Sequence, residues 1–165
     1  LRFLRPVMRG LRRTMALRVM ATFEAKFAAD DEFPHPEGCY LARKLERACR
    51  EPGFAEASFD NWRDCGWYVS CLVEASPTWI CFARYTPGEQ WQLFVESRGP
   101  SGFIARLLGK APVTARPVHR LASVVEAVLR KESSVSALHW SLTADPRKSG
   151  VQSLAELQWP ENASA

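Results

Sequence analysis

Residues 65–74 read Cys-Gly-Trp-Tyr-Val-Ser-Cys-Leu-Val-Glu, residues 78–85 Thr-Trp-Ile-Cys-Phe-Ala-Arg-Tyr, and residues 90–97 Gln-Trp-Gln-Leu-Phe-Val-Glu-Ser. Ala75-Ser76-Pro77 separates the first pair of runs and Thr86-Pro87-Gly88-Glu89 the second. Three runs rich in aromatic and β-branched residues, divided by short turn-formers, predict an antiparallel meander of three strands. A turn centred on Ala75-Ser76 pairs Glu74 with Pro77, Cys71 with Ile80 and Val69 with Phe82. A turn centred on Pro87-Gly88 pairs Phe82 with Leu93 and Ile80 with Val95.

Because side chains alternate across a strand, these registers sort the residues onto two faces. One face carries Trp67, Val69, Cys71, Val73, Thr78, Ile80, Phe82, Trp91, Leu93 and Val95, with Arg84 at one end. It is almost unbroken hydrocarbon and has to be buried. The other mixes rings with polar groups: Tyr68, Leu72, Trp79, Tyr85, Gln92 and Phe94 form the candidate binding surface, with Gln90 and Glu96 as a polar rim. Tyrosine and tryptophan suit such a surface because each joins a large apolar area to a polar tip.

Outward from the meander, Leu41, Leu45, Ala48 and Cys49 form the inward stripe of a helix over 38–50, stopped by Pro52-Gly53. Residues 54–63 are expected to be a short strand or an irregular approach, with Phe59 and Trp62 as buried anchors. Phe103, Ile104, Leu107 and Leu108 fit a short helix closed by Gly109. Pro117 opens a longer helix with Val118, Leu121, Val124, Val125, Val128 and Leu129 on its core side. Val135–Thr143 alternates as a strand that is expected to join the sheet, bringing it to four or five strands. The fold class is therefore α+β, with helices packed on the hydrocarbon face.

Residues 4–27 place Leu4, Met8, Leu11, Met15, Val19, Phe23 and Phe27 at three- and four-residue steps, which predicts an amphipathic helix. Residues 1–20 hold six arginines, among them Arg5, Arg9, Arg12 and Arg13, and no acid. The chain has 22 basic and 18 acidic residues, so outside this stretch acids slightly outnumber bases. The basic balance thus belongs to one end, and a nucleic-acid footprint over the whole domain is not expected. A basic helix of this kind suits an anionic membrane surface or a nucleic acid. The plainer readings are a helix packed on its own domain, or sequence upstream of a start at Met15 or Met20. The expected organisation is an N-terminal extension over 1–28, one α+β domain over 29–145, and a loosely held tail over 146–165 that docks through Val151, Leu154, Leu157 and Trp159.

The chemistry-bearing residues are sparse. Five cysteines with no C-x-x-C pair point to reduced thiols in a cytoplasmic protein. No apolar run is long enough for a transmembrane segment. No G-x-S-x-G elbow is present, and Gly99 and Gly102 lack a phosphate-binding pattern. His35 and Cys39 are too few for a metal site. A cysteine-dependent enzyme would have to use Cys71 or Cys81 with His119 or His139. The expectation is a non-enzymatic interaction domain, without cofactor or metal, that binds a protein partner through the mixed face. The first alternative is membrane or nucleic-acid association through residues 1–20, and the second is a cysteine enzyme.

Overall fold

In the computed structural model, the residues described are 17–27, 29–33, 35–85, 89–97, 115–142 and 150–159. Strand β1 is Leu17–Glu24, helix α1 Cys39–Ala48, β2 Phe54–Asn61, β3 Trp67–Val73, β4 Ser76–Arg84 and β5 Gln90–Ser97. Helix α2 is Ala115–Lys131 and β6 Ser136–Ser141, and a 3-10 turn covers Leu154–Glu156. The strands form one antiparallel sheet in the order β2-β3-β4-β5-β1-β6. The architecture is α+β, as expected, but the sheet has six strands rather than four or five. The meander has four members because β2 also pairs with β3, at Phe54–Ala55 and 58–61, with a bulge between Ala55 and Ser58.

The β4–β5 register is the predicted one, with Phe82 opposite Leu93 and Ile80 opposite Val95. The β3–β4 register is two residues away from expectation: Val73 faces Ser76, Val69 faces Ile80, and Trp67 faces Phe82. Proline explains the difference. A turn centred on Ala75-Ser76 would make Pro77 the hydrogen-bonded partner of Glu74, and proline has no N–H to give. Centring the turn on Glu74-Ala75 hands that role to Ser76. The turn then needs positive φ at both central residues, as in a type I′ hairpin, and Glu74 and Ala75 have φ of 50° and 64°. A shift of two residues preserves the faces. Every hydrocarbon-face residue predicted from Trp67 to Val95, apart from the terminal Arg84, is buried.

The largest correction concerns the N-terminal segment. The helix expected over 4–27 gives way at Leu17–Glu24 to β1, which lies inside the sheet between β5 and β6. Val19, Ala21 and Phe23 face the core and are buried. Residues 1–16, with Arg5, Arg9, Arg12 and Arg13, lie outside the described residues, as do the expected helix over 103–109 and the turn at Pro87-Gly88.

Leu41 and Leu45 of α1 and Leu121, Val125 and Leu129 of α2 share one buried cluster with Val69, Ile80, Phe82, Leu93 and Val95. At roughly 2 kcal/mol for each large apolar side chain removed from water, this cluster is the main source of stability. Gly38, the N-cap of α1, adopts φ 99° and sits so close to the sheet that a Cβ there would lie 2.9 Å from the Trp91 ring. The Trp67 indole N–H donates to the carbonyls of Pro36 and Glu37 just before the helix, both at 3.1 Å. At the other end of the chain Val151 pairs with Trp140, Leu154 is buried, and the Trp159 ring meets His119 edge-on at 4.7 Å.

Candidate functional site

The registers lay the mixed face out in rows running across the strands. One row passes from Tyr68 through Cys81, Phe94 and Met20 to Ser141. The next passes from Ser70 through Trp79 and Glu96 to Arg18, and on the other side Ala83, Gln92, Thr22 and His139 align. Tyr68, Ser70, Trp79, Ala83, Gln92 and Phe94 are all half-buried, in contrast to their neighbours on the opposite face.

Glu96 is the organising residue here. Its side chain is only 2% exposed, although it stands on the more open face. A carboxylate in that position is tolerated only when its oxygens are hydrogen-bonded. The Trp79 indole N–H donates to Oε1 at 2.7 Å, while Arg18 donates to Oε2 through Nε at 2.9 Å and Nη2 at 2.5 Å. The same guanidinium lies 4.4 Å over the Phe94 ring, and Trp62 meets that ring edge-on at 5.7 Å. Trp62, Phe94, Arg18, Glu96 and Trp79 thus form one continuous chain of contacts. It holds three aromatic side chains, Trp62, Phe94 and Trp79, in fixed orientations.

Four of the six predicted binding residues, Tyr68, Trp79, Gln92 and Phe94, occupy adjoining positions at the centre of this face. Leu72 and Tyr85 do not join them. Leu72 sits beside the β3–β4 turn, opposite Pro77. Tyr85 follows the far end of β4, is 61% exposed, and its backbone N–H donates to the Gln90 carbonyl at 3.0 Å. Sequence reasoning missed Arg18, Met20 and Trp62. The first two arrive with β1, whose Leu17, Val19, Ala21 and Phe23 alternate with more polar residues and carry the signal that could have found them. Trp62, read as a core anchor, turns instead onto the mixed face. Glu96, read as rim, is the buried centre. Of the arginines in residues 1–20, Arg18 is described, and its guanidinium is committed to Glu96 and Phe94.

The reactive groups are dispersed. Cys81 and His139 share the face, but β5 and β1 stand between their strands. Three interstrand spacings amount to roughly 14 Å, far beyond hydrogen-bond reach. Cys71 and Cys49 are buried in the core. The hydrogen bond to Cys71, together with burial, pushes the Cys49 thiol well above its ordinary range, so it stays protonated and unreactive. Among the described residues, no group of three His, Cys, Asp or Glu side chains is arranged to hold a metal ion. No helix among them is long and apolar enough to cross a membrane. Compared with protein-family models, curated proteins and solved structures, the chain finds no match.

Proposed function

We propose that this chain is a non-enzymatic interaction domain whose two helices cover one face of the sheet and whose other face binds a protein partner. The observation that carries this reading is the Trp62–Phe94–Arg18–Glu96–Trp79 chain. A partly exposed surface holds three oriented aromatic residues, anchored from beneath by the hydrogen-bonded Glu96 carboxylate. Hot spots of protein interfaces favour large side chains of this kind with polar neighbours. The charge on the face argues against a nucleic acid. Arg18 is already paired, while Glu24 and Asp60 on the same face are exposed acids, and base-stacking surfaces need free cations around the rings. A reducing, cytoplasmic setting suits five free thiols.

Photo-crosslinking tests the reading. Benzoylphenylalanine placed at Gln92 or Tyr68 is expected to give discrete covalent adducts in cells, whereas the same group at Arg47, exposed on α1, gives none. Adducts from Arg47 alone, or none from either mixed-face position, would remove the mixed face as the binding surface.

A further inference from the structure

Resting on the mixed face as the surface for a protein partner, we infer that Asp60 and Tyr68 take an arginine side chain of that partner. Asp60 in β2 stands directly opposite Tyr68 in β3, which sets their Cβ atoms about 5 Å apart on one side of the sheet. Asp60 is exposed and Tyr68 half-buried. Asp60 Oδ1 accepts from the Asn61 backbone N–H at 2.7 Å. Among the described residues no cation pairs with Asp60, and none lies over the Tyr68 ring.

Elsewhere the described surface repeats one arrangement: a cation lies over a ring and is held there by an acid. Arg18 lies 4.4 Å over Phe94 and is bound by Glu96. Arg43 lies 5.8 Å from the Phe33 ring and 5.9 Å from that of Phe59, and it pairs with Glu32. Lys44 lies 4.5 Å over Tyr40 and pairs with Glu132. Arg120 lies 5.2 Å over Phe54 and pairs with Glu74 at 3.2 Å. A cation so placed gains from the ring quadrupole and from the carboxylate together. Asp60 and Tyr68 supply the acid and the ring without the cation.

The register also leaves room for the side chain. To one side of the pair stand Ser58 and Ser70, whose hydroxyls meet at 2.9 Å and which rise little above the sheet. To the other stand Trp62 and Gly66, joined by the Trp62 N–H donating to the Gly66 carbonyl at 2.8 Å. The low serine row offers a bed for the apolar stem of an arginine, whose charged head then meets Asp60 and Tyr68. Strand β2 is the edge of the sheet, so no further strand crosses the outer approach to Asp60. Charge selects the same occupant. Residues 54–66 carry Glu56, Asp60 and Asp64 against Arg63 alone, all of them exposed. Arginine suits the pair better than lysine, because its planar fork bonds a carboxylate and stacks on a ring at once.

The test titrates the full chain, followed by NMR, with acetyl-Gly-Arg-Gly amide and with its citrulline counterpart, which keeps the shape of arginine without the charge. The arginine peptide is expected to shift the amide resonances of Asp60 and Tyr68 and to bind about fivefold more tightly than the citrulline one. Asp60→Asn keeps an acceptor for the Asn61 N–H and should abolish that preference at unchanged melting temperature; Asp60→Glu should restore it. In cells, D60N should lower crosslinking from benzoylphenylalanine at Gln92 by about fivefold. Equal binding of the two peptides, shifts confined to other parts of the chain, or a preference that survives in D60N would each overturn the inference. Crosslinks from Gln92 that D60N leaves unchanged would overturn it too, while sparing the mixed face. Absence of crosslinks from both Gln92 and Tyr68 in the unaltered chain would instead remove the mixed face, and the arginine with it.

Discussion

Phe82 and Phe94 lie on adjacent strands of the same sheet, one on each face. Phe82 is fully buried, its ring 6.3 Å from that of Trp91, under the backbone of Gly38. Phe94 is half-buried and is held between a guanidinium at 4.4 Å and the edge of Trp62 at 5.7 Å. The same residue type serves as core filling in one place and as part of an ordered surface in the other. Aromatic density alone does not separate these roles. What separates them is the company: Phe82 has hydrocarbon on all sides, while Phe94 has a cation that is itself tied to a buried acid. A face built the second way holds its rings in fixed orientations around a paired charge, with Met20, Cys81, Glu96 and Ser141 buried on the same side.

Substitutions can break or sharpen this contrast. The largest effect is expected from Phe82→Ala, which leaves a cavity in the shared cluster and should cost about 3–5 kcal/mol in urea unfolding. Arg18→Ala removes two of the hydrogen bonds to Glu96. Because Arg18 is 44% exposed, solvent screening discounts the loss to about 1–2 kcal/mol. If Arg18→Ala costs as much as Phe82→Ala, the two faces are not different in kind and the mixed face is core. Tyr85→Ser should be the mildest, within about 0.5 kcal/mol by thermal unfolding, and should leave the crosslinking from Gln92 unchanged. A larger loss of stability would mean that Tyr85 packs against the fold rather than standing free of it.

The meander and its faces were legible in the sequence because period-two alternation survives an error of two in register. The turn itself was misread. Its residues, Glu74 and Ala75, are not the glycine or asparagine that usually accept positive φ, so the constraint from Pro77 outweighed the usual turn signature. Strand β1 was misread for a different reason. From Leu11 onward the apolar positions Met15, Val19, Phe23 and Phe27 are four apart, and four is close to one helical turn as well as twice the strand period. Leu17 and Ala21, which fill the alternate positions, decide for the strand, as do the β-branched Val19 and Thr22.

The site was half legible. Tyr68, Trp79, Gln92 and Phe94 follow from the registers of β3, β4 and β5, which local pairing sets. Arg18 stands 78 residues before Glu96 in the chain, and no local rule links the two. Without that link Glu96 reads as an ordinary exposed acid.

The sequence by itself determined which side chains share a face, since alternation and short hairpins are properties of neighbouring residues. It also determined the apolar stripes of α1 and α2, which repeat every three or four positions. It took the tertiary fold to place β1 between β5 and β6 and to bury Glu96 against Trp79 and Arg18. Those outcomes depend on contacts between distant parts of the chain, whose free energy comes from burial and charge pairing that no local pattern encodes.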